Sequence, residues 1–236
     1  MKTPVPKIFL TQLAKAEPQA GGLVHLWKNF YTPLQAQQAF DLLNDDTAFH
    51  WDLKPKLYGQ EMTTQHAFPY RRREGGSSID TAAPAGVQHL EQLCQDLERR
   101  LDCRIPFVYC NRFANAEHQI DWHTDTYASH ILVLTLGSER NVEFRPKDEP
   151  SQVTTMRPTA GDVYFMPLQV NKTHEHRVCK PVTNNCDDDD NDKTKDCNYD
   201  DNQTRISLVF FTQTPKYAKD YRIGWKDMIG GLNKVW

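Results

Sequence analysis

Between residues 105 and 212 the chain repeats short apolar segments that are rich in β-branched and aromatic residues. Residues 108–113 read VYCNRF, residues 130–136 read HILVLTL, and residues 161–167 read GDVYFMP. Segments of this length and composition are typical of buried strands. About eight such strands with two flanking helices predict a mainly β fold, in which two sheets pack as a double-stranded β-helix, or jelly roll.

Two segments upstream have the apolar spacing of amphipathic helices, at residues 33–45 and 87–101. One stripe of the second segment consists of Leu90, Leu93, Leu97 and Leu101. Such stripes pack against a neighbouring layer, so we expect both helices on the outside of a sheet. We therefore divide the chain into an N-terminal extension at 1–104, which would include a substrate-recognition lid, and a core at 105–236.

The negative charge is concentrated in one part of the chain. Residues 183–204 contain eight aspartates and two lysines, a net charge of −6, whereas the whole chain carries −3, which leaves +3 elsewhere. The segment has low complexity and few apolar residues, so it predicts a solvated insertion in the core. A second cation site and a disulfide between Cys186 and Cys197 are the alternatives.

The chain has no apolar run of about eighteen residues and no charged-then-apolar leader. We therefore expect no membrane insertion, no secretion and an intracellular location, in the cytoplasm or nucleus. The six cysteines lack CxxC spacing, so we expect free thiols. With 236 residues and 39% hydrophobic content, the chain can bury one core, and we expect a monomer.

A His-x-Asp triplet lies between two of the predicted strands. His123 and Asp125 are two residues apart, so in extended backbone they would share one face. His176 follows the GDVYFMP strand. Two histidines and one carboxylate can occupy one face of an octahedral Fe(II) ion and leave three positions open. His174 is an alternative to His176, which we prefer because an apolar pattern resumes at Val178.

A single arginine opens the last predicted strand. Arg205 precedes the apolar residues ISLVFF. Its guanidinium offers a planar fork of donors that suits a carboxylate, as an oxidisable keto-acid would require. An ordinary arginine at the edge of a strand is the alternative.

The order of these motifs resembles the catalytic core of the AlkB family, Fe(II)/2-oxoglutarate-dependent dioxygenases that demethylate DNA or RNA bases. The resemblance covers about residues 105–212. Its motifs are Asn111-x-Phe113, His123-x-Asp125, LGSERNVEFRPKD at 136–148, GDVYFMP, HRV and RISLVFF. In that family an N-linked alkyl group is oxidised while molecular oxygen and 2-oxoglutarate are consumed, and succinate and formaldehyde are released.

The resemblance also implies roles for individual residues. His123, Asp125 and His176 would bind Fe(II), with no catalytic residue beyond these ligands. Arg205 would pair with the distal carboxylate of 2-oxoglutarate, and Asn111 would donate a hydrogen bond to this co-substrate.

Two positions depart from the family pattern, because Phe113 replaces a usual tyrosine and Phe211 replaces a second arginine. Each lost hydrogen bond to a charged group is worth about 1.5–3 kcal/mol. Either another residue compensates, with Ser207, Thr135 and Tyr109 as the candidates, or the pocket holds its keto-acid differently.

The segment at residues 53–76 mixes basic and aromatic residues with turn signals. Such side chains can bind phosphate and stack on an extruded base. The candidates for substrate binding are Trp51, Tyr58, His66, Arg71, Arg72 and Arg73. A solvated loop over one sheet edge is the alternative.

Three functions remain open from the sequence. The first is demethylation of alkylated DNA or RNA, with nucleic acid as the partner. The second is the same oxygenase chemistry on a protein, lipid or small molecule. The third is a degenerate, non-catalytic binding module, which the two phenylalanine replacements suggest.

Overall fold

The structure is a computed structural model that describes residues 11–54, 56–57, 60–67, 83–125, 130–181 and 203–213. In chain order its strands are β1 (Glu17–Gln19), β2 (Val24–Trp27), β3 (Lys56–Leu57), β4 (Gln60–Glu61), β5 (Gln65–Ala67), β6 (Arg104–Phe113), β7 (Ile120–His123), β8 (His130–Gly137), β9 (Val142–Pro146), β10 (Thr154–Met156), β11 (Val163–Met166), β12 (His174–Val178) and β13 (Arg205–Gln213). Its helices are α1 (Pro33–Asn44), α2 (Ala85–Leu101) and α3 (Leu168–Thr173), and a short 3₁₀ helix covers Ala20–Gly22.

The strands form two main antiparallel sheets. The larger sheet has the order β1-β2-β11-β8-β13-β6-β5, and the smaller has the order β10-β9-β12-β7. The pair β3 and β4 forms a separate hairpin. The prediction of a mainly β fold with flanking helices is therefore confirmed, and the described residues between 105 and 212 contain eight strands.

The N-terminal part of the chain contributes more to the sheet than the sequence indicated. Strands β1, β2 and β5 join the same sheet as the core strands, so the predicted N-terminal extension shares a layer with the core. These strands have only three or four residues each. Runs this short carry too little periodicity to be recognised.

Both predicted helices are present. Helix α1 begins with a capping box, in which Thr32 and Gln35 bind each other's backbone, and Pro33 takes its first position. Helix α2 ends at Asp102, which adopts a left-handed conformation. Its predicted leucine stripe is buried. No helix in the described ranges is both long enough and apolar enough to cross a membrane.

The larger sheet buries both of its faces. Along β13, Ile206, Leu208 and Phe210 belong to the core beneath α1 and α2. Phe211 belongs to a second core, which lies between the two sheets. Because side chains alternate along a strand, Arg205 and Ser207 share the inner face with Phe211. The inner face of β13 therefore combines polar and aromatic side chains.

The cysteines within the described ranges, Cys94, Cys103, Cys110 and Cys179, are free thiols. Cys186, Cys197 and most of the acidic insertion lie outside the described residues, so the predictions for that insertion remain predictions.

Gly137 ends β8 directly opposite Arg205. Its φ is +74°, and a Cβ atom there would lie 2.3 Å from the Thr204 carbonyl oxygen and 2.6 Å from the Phe40 ring. Gly22 has a φ of +89° but nothing within 4 Å of such an atom. The two glycines therefore share a conformation and differ in the space around them.

We predict that Gly22→Ala lowers the free energy of unfolding by about 1–2 kcal/mol through left-handed strain alone. Gly137→Ala should lower the free energy of unfolding by roughly 1–3 kcal/mol more, because its methyl group also overlaps neighbouring atoms. Denaturant unfolding of both variants measures the difference. Equal losses would show that the close approach at Gly137 is easily relieved.

Candidate metal centre

A cross-strand histidine pair forms the centre of the candidate site. His123 on β7 lies directly opposite His176 on β12, and their ring centroids are 4.2 Å apart. The next register pair joins Ile120 to Val178, so three steps on β7 match two steps on β12. This β-bulge lets Ile120 and His123 both face the space between the sheets, which a regular strand would not allow.

Asp125 completes a group of three potential metal ligands. Its Oδ2 atom lies 3.5 Å from Nε2 of His176, and the ligand atoms of Asp125, His123 and His176 all lie within 4.8 Å of one another. Ligand atoms bound about 2.1 Å from one metal, at right angles, are separated by roughly 3 Å. Small side-chain adjustments would therefore bring all three onto a single ion.

Hydrogen bonding and burial set the protonation of these side chains. Nδ1 of His123 lies 2.8 Å from the carbonyl oxygen of Asp121, which can only accept, so Nδ1 carries the proton and Nε2 keeps a free lone pair. Burial lowers the pKa of His176 well below its usual range, and His123 acts in the same direction. Burial raises the pKa of Asp125, whereas His123 opposes this shift. His176 can therefore offer a neutral nitrogen, and Nε2 is the nitrogen of His123 that is left for a metal.

His174 lies outside this group. It faces Pro146 on β9, and its Nδ1 atom lies 2.8 Å from the hydroxyl of Thr173. The three residues that the structure brings together are those preferred from the sequence.

Arg205 lies on the inner face of the larger sheet and is fully buried. One of its terminal nitrogens donates to the Thr135 hydroxyl at 3.3 Å, but Nε and Nη1 have no hydrogen-bond partner. Among the described residues no carboxylate forms an ion pair with it. Burial lowers its pKa to about 10, and Tyr164 opposes this shift, so the guanidinium stays charged near neutral pH.

Two more unpartnered polar atoms lie beside Arg205. Ser207 is directly opposite Asn111 on β6 and Thr135 on β8. The hydroxyl of Ser207 and Oδ1 of Asn111 are buried without a hydrogen-bond partner. Buried polar groups are seldom left unpaired, because each costs about 1–3 kcal/mol. We call Arg205, Ser207 and Asn111 the polar patch. The free nitrogens of Arg205 and the hydroxyl of Ser207 can donate to an anionic ligand, whereas Oδ1 of Asn111 can only accept.

The two departures from the family pattern have clear structural consequences. Phe113 lies beneath two guanidinium groups, 4.9 Å from that of Arg140 and 5.7 Å from that of Arg205. Phe211 packs against Phe107 with ring centroids 5.4 Å apart. Aromatic packing therefore occupies both positions.

The structure separates the three expected compensating residues. Thr135 contacts Arg205 and Ser207 belongs to the polar patch, whereas the hydroxyl of Tyr109 contacts the buried ring of His66. Burial lowers the pKa of His66 to about 4, so this ring is neutral near neutral pH.

Arg140 is a second buried cation that the sequence did not single out. Its terminal nitrogens bind the carbonyl oxygens of His118, Asn115 and Cys179, the last two at 2.7 and 3.4 Å. Burial lowers its pKa to about 10, and the charge of Arg205 acts in the same direction. Arg140 therefore joins three loop carbonyls and adds positive charge near Arg205.

Trp51, which we expected to bind substrate, is buried in the structure. Its side chain is buried in the core beneath the helices, its Nε1 donates to the Leu43 carbonyl at 2.8 Å, and its ring packs 5.0 Å from that of Phe49. Its ring is therefore part of the core in this structure. Tyr58, Arg71, Arg72 and Arg73 lie outside the described residues, so their predicted role is not addressed.

Asn171 is a residue of the site that the sequence analysis missed. Its side chain binds the backbone of Asp125 through two hydrogen bonds. No motif marks this asparagine, because its role depends on the packing of α3 beside the end of β7.

In comparisons with known proteins, no family model and no curated protein matches the chain.

We predict that His123→Ala abolishes metal retention, because it removes one of three ligands. His174→Ala should leave metal retention intact, since its side chain binds Thr173 outside the group. Equilibrium dialysis with Mn(II) followed by elemental analysis measures both. Loss of metal in the His174 variant, with retention in a His176→Ala variant, would mean that the distal ligand is His174.

Proposed function

We propose that this chain is an Fe(II)/2-oxoglutarate-dependent dioxygenase of the AlkB type, with its two sheets forming a jelly roll. One observation carries the proposal. Two histidines and a carboxylate converge on one side of the space between the sheets, while the other side presents a buried arginine with unused donors. A metal centre facing an anion site is the arrangement that this chemistry requires.

The three candidate ligands fit a ferrous ion. Neutral imidazole and carboxylate are the donors of the facial set found in non-haem iron oxygenases. Nδ1 of His123 donates to the Asp121 carbonyl oxygen, and metal-binding histidines usually make such a bond through the nitrogen that does not bind the metal. When bound, iron would activate oxygen, and decarboxylation of 2-oxoglutarate would supply the electrons.

The polar patch fits the distal carboxylate of 2-oxoglutarate. The free nitrogens of Arg205 can donate to it, and the hydroxyls of Ser207 and Thr135 can add hydrogen bonds. The protein would thus bind and orient the co-substrate and exclude water from it.

The substrate that we favour is alkylated DNA or RNA, which the enzyme would demethylate. The order of the motifs supports this choice. The same chemistry on a protein, lipid or small molecule is the second candidate. The core position of Trp51 favours it, because this tryptophan was one of the aromatics expected to stack on a base. A monomeric state and a location in the cytoplasm or nucleus are part of the same proposal.

We predict that Arg205→Met weakens 2-oxoglutarate binding by about 10- to 150-fold, the equivalent of one charged hydrogen bond. Without metal, the variant should have a free energy of unfolding equal to or larger than that of the wild type, because it no longer buries an unpaired cation. Anaerobic calorimetry on Mn(II)-loaded protein and denaturant unfolding of metal-free protein measure the two effects.

The matched control is Arg157→Met, since Arg157 is an exposed arginine paired with Glu139. It should leave co-substrate affinity unchanged. A strongly destabilised Arg205 variant that binds 2-oxoglutarate normally would identify Arg205 as a structural residue instead.

Substrate class is tested by product analysis. Incubation with Fe(II), 2-oxoglutarate and an oligonucleotide carrying N-methylated bases should release formaldehyde, and the unmodified strand should release none. An Asp125→Ala variant serves as the inactive control.

A methyl-lysine peptide assayed in parallel tests the second candidate. Iron-dependent succinate without formaldehyde from any methylated base would contradict the nucleic-acid assignment and leave the oxygenase assignment standing. Absence of iron-dependent succinate would favour a non-catalytic binding module.

A further inference from the structure

Asp125 lies beyond the last residue of β7, so the sheet supplies no partner for its backbone. Asn171 supplies both partners instead. The backbone N–H of Asp125 donates to Oδ1 of Asn171 at 2.9 Å, and Nδ2 of Asn171 donates to the backbone carbonyl of Asp125 at 2.7 Å. The side-chain amide thus replaces the two hydrogen bonds that a neighbouring strand would make.

Two features make this contact specific. Asn171 is buried, and only one orientation of its amide satisfies the donor and the acceptor together. A primary amide is the side chain that offers both functions at one end. Two bonds to one residue also restrict rotation of that residue's backbone, from which the carboxylate projects.

Helix α3, which carries Asn171, leads directly into β12, which carries the candidate ligand His176. Helix α3 ends at Thr173 and β12 begins at His174, two residues before His176. The start of α3 is held by a hydrogen bond from the Leu168 N–H to Nδ1 of His130 at 3.0 Å.

The end of α3 is held by Lys147. Its backbone N–H donates to the Thr173 carbonyl at 3.0 Å, and its ammonium donates to the Lys172 carbonyl at 2.9 Å. The Asn171 side chain therefore projects from a helix that is fixed at both ends.

We propose that Asn171 is a positioning residue of the metal centre, which holds the Asp125 carboxylate in its ligand position by binding the Asp125 backbone. The inference rests on the proposed metal site and adds a residue to it. Loss of partners outside the ligand set typically costs 10- to 100-fold in metal affinity. A packing role alone would change stability and leave metal affinity unaltered.

The test compares Asn171→Ala and Asn171→Leu with the full-length wild-type chain. Leucine fills the space of asparagine without adding charge, so it keeps a variant available if the alanine protein does not fold. Gln169→Ala is the matched control, because its side chain lies on the same helix and is exposed. Mn(II) affinity, the visible spectrum of bound Co(II) and thermal unfolding of the metal-free protein are measured for each.

We expect the Asn171 variants to bind Mn(II) about 10- to 100-fold more weakly and to shift the Co(II) spectrum, while Gln169→Ala matches the wild type. A folded Asn171→Leu protein with wild-type affinity and spectrum would overturn the inference but not the proposed function. Failure of the wild-type chain itself to bind Mn(II) would overturn both.

Discussion

The candidate site depends on one charge without an ion-pair partner among the described residues, the guanidinium of Arg205. It is fully buried on β13, an interior strand of the larger sheet, and two of its three nitrogens lack a hydrogen-bond partner. A buried charge without a partner costs several kcal/mol. A fold that retains such a group must recover this cost elsewhere, and binding an anion is the most direct way to do so.

Each of the two sheets carries one half of the candidate site. The smaller sheet carries His123 and His176 as a cross-strand pair, and Asn171 holds Asp125 just beyond the end of β7. The larger sheet carries the polar patch, in which Arg205 is the only charged member. Hydrogen bonds to Asp121 and Asn171 hold the metal half, whereas the polar patch keeps unpartnered atoms that a ligand can bind. A ligand that spans both halves would therefore be held at both ends, as orientation of reacting groups requires.

Much of this arrangement could be predicted because the relevant signals are local. The strands around His123 and Arg205 are rich in β-branched and aromatic residues, and the leucine stripe of α2 has helical spacing. The preference for His176 over His174 followed from the apolar pattern that resumes after it. The structure brings together the three residues that this reasoning selected.

What could not be predicted depends on tertiary contacts. Asn171 gained its role from the packing of α3, and Arg140 from three loop carbonyls that are distant in sequence. Trp51 resembled a surface aromatic beside a polar segment, but its indole nitrogen is satisfied by a carbonyl on α1. In each case the deciding partner lies on another element, where sequence periodicity carries no information.

The most direct test of the central claim is an anaerobic crystal structure of the chain with Mn(II) and 2-oxoglutarate. We expect one metal bound by His123, Asp125 and His176, with the distal carboxylate of 2-oxoglutarate paired to Arg205. Metal at other residues, or a co-substrate carboxylate that leaves Arg205 unpaired, would contradict this expectation.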